Sequence, residues 1–177
     1  SALYYFEQTE HYLDKQHWQQ EYKLGLSIAL GKANVLYLTQ DYQQGNLHFQ
    51  QHSALISNII DQAHFTKVQV LSLIAQNEMQ KAFDLGIATL QAISITLPPA
   101  TEALNYLAIE KYYQRDYIAK LANLSAMTDS RQLLALDILN AIQTPAYLLS
   151  PVEYMRIAYT SLELCLLGGL SALSAKV

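Results

Sequence analysis

Apolar residues recur along most of the chain at the three- and four-residue spacing of an amphipathic α-helix. Residues 2–13 predict one such helix, and a longer helix is predicted at about residues 18–39, where apolar side chains cover more than one face. The pattern then resumes in three further segments, at residues 42–57, 61–75 and 78–95. A helix that is apolar nearly all round packs against neighbours on two sides. The pattern therefore predicts an all-α chain without a sheet.

Capping and helix-breaking residues delimit the helices predicted between residues 77 and 122. Asn77 suits the N-cap of the helix over 78–95, because its side chain can accept a hydrogen bond from a free backbone N–H. Pro98-Pro99 ends that helix, and Thr101 is the expected cap of the next one. A shorter helical piece is predicted near residues 115–122.

Similar signals divide the last third of the chain. Thr128 or Asp129 is the expected cap of a helix over 130–143, which Thr144-Pro145 should end. Ser150-Pro151 is a helix start, because proline is tolerated in the first turn. After a turn at Gly168-Gly169, a further helix is predicted over 170–177.

The stretch from residue 33 to residue 97 divides into two similar halves, each an apolar helix, a short polar break and a second apolar helix. Gly45 and Ala82 are small residues at matching places, and Phe49 and Gly86 follow one turn later in each half. The offset between the halves is 37 residues, and a period in the thirties is typical of stacked helical hairpins such as tetratricopeptide repeats. We therefore expect a right-handed α-solenoid in which small residues allow close contact between helices.

Two glycines within the helix predicted at 18–39 also suggest close contacts. Gly25 and Gly31 each cost up to ~1 kcal/mol in a helix interior. A neighbouring helix that approaches closely at these positions would explain why glycine is kept there.

The composition excludes several classes of protein. The chain has 177 residues, of which 51% are hydrophobic and 15% charged, and its net charge of −4 argues against a nucleic-acid footprint. A single cysteine, Cys165, excludes an internal disulfide and favours a reducing cytoplasm. Acidic residues interrupt any N-terminal signal peptide, and the apolar run 162–175 is too short and polar to span a bilayer, so a buried helix is expected there.

Residues capable of chemistry are present, but no complete catalytic set is. His48 and His52 have the i, i+4 spacing of metal ligands, yet no cysteine or carboxylate lies near them in sequence, so two solvent-facing histidines are expected. Glu7, Glu10 and His11 resemble half of a di-iron helix, but the chain has no Glu-x-x-His string. The sequence thus assigns no catalytic, cofactor-binding or metal-binding residue.

The remaining candidates are aromatic residues and the thiol. Cys165 has no basic neighbour and is expected to be a buried, inert thiol. Thirteen tyrosines are a high number, and they either pack in the core or form an exposed binding patch. Those at helical spacings are Tyr4, Tyr5, Tyr12, Tyr112, Tyr113 and Tyr117.

Several strings resemble the helical region of large bacterial signalling ATPases. They include Gln40-Asp41-Tyr42, the stretch from Val68 to Asn77, and Leu121-x-x-Leu124-x-x-Met127-Thr128-Asp129. The stretch from Pro145-Ala146-Tyr147 to Ser150-Pro151 is similar as well. The resemblance covers residues 18–177.

The resemblance implies a non-catalytic interaction and regulatory module of a multidomain protein. Such proteins join a kinase-like or sensor module, a P-loop ATPase of the signal-transduction type, this helical region, and often GAF and histidine-kinase modules. Hairpins about 18–97 and a family-specific part about 99–177 would form a single helical-repeat domain over 1–177, a fragment of the parent protein. The alternative is a sensor domain that binds a small-molecule effector.

This chain itself carries no phosphate-binding loop and no kinase motif, so no functional residue is transferred from the family. The expected partners are other domains of the parent or a separate protein, without nucleic acid or a membrane span. Self-association through exposed helical ends is also expected.

Overall fold

A computed structural model provides the fold for residues 2–11, 18, 20–103 and 123–176, the part of the chain that the structure describes. The α-helices are α1 (Ala2–His11), α2 (Tyr22–Leu38), α3 (Tyr42–His52), α4 (Ile59–Ala75), α5 (Met79–Ala92), α6 (Ala100–Ala103), α7 (Ser130–Leu149) and α8 (Pro151–Gly168). Short 3-10 helices cover Ser53–Leu55 and Ala172–Lys176. These residues form no β-strand, only one isolated parallel bridge, so the all-helical prediction is confirmed for them.

The chain divides into two compact units, Ser1–Leu85 and Gly86–Val177. In the first unit α2 lies against α1, α3 and α4. Its buried core includes Trp18, Ala33, Phe49 and Phe65, with partly buried tyrosine and leucine side chains around them. The nearly all-round apolar pattern of this helix predicts that it packs against neighbours on more than one side. This prediction is confirmed, because α2 contacts three other helices.

The helix boundaries of the first half repeat at a fixed interval. Both ends of α4 lie 37 residues after the corresponding ends of α2, at 59 against 22 and at 75 against 38. The start of α5 lies 37 residues after the start of α3, at 79 against 42. The offset that the sequence suggested is therefore present in the helix boundaries themselves.

The turn between the paired helices repeats at the same interval. Gln40 has a φ of 60° and Asn77 a φ of 62°, which places both in the left-handed region. The next amide in each turn bonds back five residues, from Asp41 N to Leu36 O at 3.0 Å and from Glu78 N to Leu73 O at 2.9 Å. This hydrogen bond satisfies a carbonyl group at the end of the first helix.

Two predicted helix starts differ from the structure. Asn77 is the left-handed residue of the turn rather than an N-cap, because asparagine tolerates positive φ better than most residues. The helix predicted from Asp61 begins earlier, since the Asn58 side chain accepts hydrogen bonds from Ile60 N and Asp61 N.

The glycines of the first unit differ in how closely they are packed. A Cβ at Gly25 would lie 2.8 Å from Trp18, seven residues earlier in the chain. One at Gly31 would lie 2.5 Å from Cζ of Phe6 in α1, which confirms the predicted close approach of a neighbouring helix at Gly31. At Gly45 the nearest atom would be Leu36 Cβ at 3.9 Å, an ordinary contact. A single added methyl group would therefore fit at Gly45, so the small residue expected at this position can be glycine or alanine.

In the second unit α7 packs along α8, and their facing sides form the core. The predicted caps are confirmed: Asp129 accepts hydrogen bonds from Arg131 N and Gln132 N, and Ser150 accepts one from Val152 N. Pro145, however, lies inside α7 rather than ending it. Its side chain is fully buried, so tertiary packing retains the helix despite the ~3 kcal/mol that an interior proline costs.

The last residues also depart from expectation. Gly169, with a φ of 100°, ends α8, and Leu170 then forms a parallel bridge to Ala126 instead of starting an α-helix. Cys165 is buried as predicted, and its thiol contacts Ser174 Oγ at 3.2 Å.

Thr101 lies within α6 and not at its cap. The rest of the helix predicted after it, and the piece at 115–122, fall outside the described residues. Across the described part of the chain, no helix combines the length and apolar character needed to cross a membrane.

Candidate functional site

Three side chains that can bind a metal converge in the first unit. Glu10 lies in the last turn of α1, whereas His48 and His52 lie one turn apart on α3. One oxygen of Glu10 and one nitrogen of each histidine all lie within 4.8 Å of one another. We call these three residues the Glu10–His48–His52 cluster.

Packing of α1 on α2 places Glu10 in this cluster. Phe6 rests against Gly31, and Glu10 lies one turn further along the same face of α1. The ammonium group of Lys32, the residue after Gly31, forms an ion pair with Oε2 of Glu10. The carboxylate is therefore held by one oxygen, and its other oxygen, Oε1, faces the histidines.

His48 is almost completely buried, with 2% of its surface exposed. Its Nε2 lies 2.9 Å from the backbone oxygen of Ala29. A carbonyl oxygen can only accept a hydrogen bond, so Nε2 carries the proton and donates it. The other nitrogen, Nδ1, points towards Oε1 of Glu10 at 3.3 Å.

Burial lowers the pKa of His48 from 6.5 to about 4, because a charged imidazole loses its hydration there. The neighbouring His52 and Lys32 lower this pKa further, while the Ala29 carbonyl and Glu10 act in the opposite direction. At neutral pH the ring of His48 is therefore neutral. With its one proton on Nε2, its Nδ1 carries a lone pair.

His52 has the complementary arrangement. Its Nδ1 lies 3.0 Å from the backbone oxygen of His48, which accepts a hydrogen bond from it. In the neutral ring Nε2 then carries the lone pair, and this atom lies 3.5 Å from Glu10 Oε1. The two imidazoles are close to each other, with centroids 4.2 Å apart, and Trp18 and Phe65 flank them.

The cluster thus brings three lone-pair atoms together without a hydrogen atom between them. Glu10 Oε1 and His48 Nδ1 are both buried, and neither has a hydrogen-bond partner. Buried acceptors of this kind cost free energy unless a donor or a cation satisfies them. Such an arrangement is chemically suited to binding a cation or a proton.

The spacing of the two histidines is visible in the sequence, but their burial is not. The prediction of two solvent-facing histidines is wrong, because His48 is buried and His52 is mostly covered. Glu10, which lies 38 positions before His48, was missed as their partner. The useful signal was Gly31 on α2, whose close contact with Phe6 brings the following turn of α1 to the histidines.

Of the other candidate residues, only some lie in the part of the chain that the structure describes. Glu7 is exposed on α1, and nothing is described for the side chain of His11. Tyr4 and Tyr5 lie at the surface, with 56% and 71% of their area exposed, whereas the other singled-out tyrosines fall outside the described residues. Neither of these two tyrosines therefore packs in the core.

Comparison of the chain with protein-family models, with curated proteins and with solved structures yields no match.

Proposed function

We propose that this chain is a tetratricopeptide-like module for protein interaction and regulation in a multidomain signal-transduction ATPase or kinase. The observation that supports it best is the 37-residue recurrence of helix boundaries and of the turn that joins paired helices. Stacked hairpins with such a period form superhelices that offer extended surfaces to partners. In this proposal the catalytic chemistry belongs to other domains of the parent protein.

Exposed apolar side chains support a role in binding. Tyr147, Leu148 and Leu149 are three consecutive exposed apolar residues at the end of α7, and Leu167 near the end of α8 is 83% exposed. Scattered exposed leucines are common, but a contiguous apolar group is typical of a surface that contacts another protein. We propose that the Tyr147–Leu149 segment contacts a domain of the parent protein.

The first test identifies the polypeptide in which these residues occur in the cell. An antibody raised against the chain captures the endogenous protein, and mass spectrometry gives its mass and its peptides. We expect peptides of a P-loop ATPase or a protein kinase in the same polypeptide. A captured protein without any nucleotide-binding or kinase sequence would refute the proposed parent.

The second test measures binding between this chain and the ATPase domain so identified. Replacing Tyr147 and Leu148 with serine should weaken the complex, because it removes apolar area at the proposed contact. The matched control replaces Gln50 and Gln51, two exposed residues of α3, with serine. Equal affinity of both double variants would show that the Tyr147–Leu149 segment is not the contact.

A further inference from the structure

We propose that the Glu10–His48–His52 cluster binds a single divalent transition-metal ion of the zinc class through Glu10 Oε1, His48 Nδ1 and His52 Nε2. This inference goes beyond the proposed function and does not depend on it. It follows from the positions of the three lone-pair atoms and from the hydrogen bonds that orient them.

The distances agree with those in a tetrahedral site. Zinc binds imidazole nitrogen and carboxylate oxygen at about 2.0–2.1 Å, so neighbouring ligand atoms of a tetrahedron lie ~3.3 Å apart. Oε1 of Glu10 lies 3.3 Å from Nδ1 of His48 and 3.5 Å from Nε2 of His52. Two edges of the tetrahedron are therefore already formed. The nitrogens of His48 and His52 lie within 4.8 Å of each other, and a rotation of the His52 ring that brings them closer completes the third edge.

The second nitrogen of each histidine is held in the way that metal ligands require. Both rings donate to backbone oxygens, His48 to Ala29 and His52 to His48 itself. Such a hydrogen bond fixes the tautomer and the ring orientation, and it directs the remaining lone pair at the ion. Trp18 packs against the ring of His52 and Phe65 against that of His48, so apolar groups surround the two imidazoles.

The ligand types determine the class of ion. Two imidazoles and one carboxylate suit zinc, iron, cobalt, nickel or copper, whereas calcium and magnesium require oxygen ligands. Three protein ligands leave one tetrahedral position for water or for a group from another molecule. Lys32 neutralises the carboxylate from the Oε2 side, so its charge weakens the attraction for the ion while it holds Glu10 in place.

A bound ion would also connect two helices that are distant in sequence. Glu10 belongs to α1 and the histidines belong to α3, so the ion ties the first helix to the third across α2. Binding to the folded state alone raises the unfolding temperature. The metal should therefore stabilise the attachment of α1.

The experiment uses the full 177-residue chain, first stripped of metal with a chelator and then exchanged into a non-coordinating buffer. Zn²⁺ is titrated in a calorimeter, and Co²⁺ is titrated as a spectroscopic probe, because its visible absorption bands report tetrahedral coordination. We expect one ion per chain and a higher unfolding temperature with Zn²⁺.

Two variants remove ligands while they preserve shape. Glu10→Gln replaces the carboxylate with an amide whose N–H₂ group can donate to the histidine lone pairs, so the metal-free fold should persist. His52→Gln removes one imidazole. We expect each variant to weaken Zn²⁺ binding by more than about 100-fold, because loss of even an outer partner of a metal ligand costs about 10- to 100-fold.

The matched controls make the same chemical changes outside the cluster. Glu7→Gln alters an exposed glutamate on α1, and His64→Gln alters an exposed histidine on α4. Both should bind Zn²⁺ as the unaltered chain does, and circular dichroism in metal-free buffer checks that all four variants are folded.

The outcomes separate the possibilities. Binding lost in Glu10→Gln and His52→Gln but kept in both controls supports the site. If the unaltered chain takes up no more Zn²⁺ or Co²⁺ than the Glu10→Gln variant does, the proposed metal site is overturned. A proton then satisfies the three ligand atoms instead. Binding that none of the four variants alters overturns it too, because the ion is then held elsewhere. If the His52→Gln variant fails to fold, the comparison of Zn²⁺ binding between Glu10→Gln and Glu7→Gln decides between these results.

Discussion

Adding one methyl group should have opposite effects at two helical glycines. At Gly86 in α5 a Cβ would overlap with Cγ2 of Ile142 and lie 3.2 Å from its Cδ1. Ile142 is fully buried and branches at Cβ, so its Cγ2 cannot move away without a shift of the backbone. At Gly45 in α3 the nearest atom would be 3.9 Å away, which is an ordinary contact.

The magnitudes follow from these distances. Replacing glycine with alanine in a helix interior gains ~0.5–1 kcal/mol of stability. Overpacking a well-filled core costs ~1–3 kcal/mol. Gly45→Ala should therefore stabilise its unit by up to ~1 kcal/mol, whereas Gly86→Ala should destabilise its unit by ~1–2 kcal/mol.

Urea and thermal unfolding followed by circular dichroism measure both effects. A change of 1 kcal/mol shifts the unfolding temperature by ~2–4 °C in a chain of this size. If the two units unfold in separate transitions, each variant is compared on the transition of its own unit. A Gly86→Ala protein that is as stable as the unaltered chain would refute the packing argument at Ile142.

Three further predictions concern acidity, capping and nucleotides. Because burial lowers the pKa of His48 from 6.5 in the unfolded chain to about 4 in the folded one, the metal-free protein should lose up to ~3 kcal/mol of stability as the pH falls from about 6.5 to about 4. Urea unfolding at several pH values with a chelator present measures this, and a His48→Gln variant with the same pH dependence would contradict it. Asp129→Ala should cost ~1 kcal/mol in urea unfolding because two amides of α7 lose their acceptor, and Thr128→Ala beside it should be neutral. Calorimetry and a phosphate-release assay should detect neither ATP binding nor hydrolysis by the isolated chain, and tight nucleotide binding would contradict this.

Local sequence signals predicted much of the helical structure. Asp129, Ser150 and Gly169 act where the capping and turn rules placed them, because each effect involves only neighbouring backbone groups. Asn77 was assigned to the wrong end of the turn, since asparagine suits both an N-cap and a left-handed position. Pro145 was assigned as a helix end because its local cost is visible in the sequence, whereas the burial that offsets this cost is not.

The Glu10–His48–His52 cluster could not be derived in the same way. The spacing of the histidines is a local pattern, but their burial depends on Ala29, Trp18 and Phe65, which come from other segments. Whether Glu10 reaches them depends on how α1 packs, and helix periodicity does not determine the partner of an amphipathic helix. The non-local half of the site therefore required the structure.

The left-handed turn residues also bear on how such a chain can change in evolution. Gln40, Asn77 and Ser94 all have φ near 60°, where a side chain costs ~1 kcal/mol or more that glycine avoids. Replacing the residue at any one of these positions, for example with glycine, thus changes the stability of that turn. Such a change leaves the buried core and the helix surfaces as they are. Selection for greater or lesser rigidity can therefore act on these turns independently of selection on any surface that another molecule recognises.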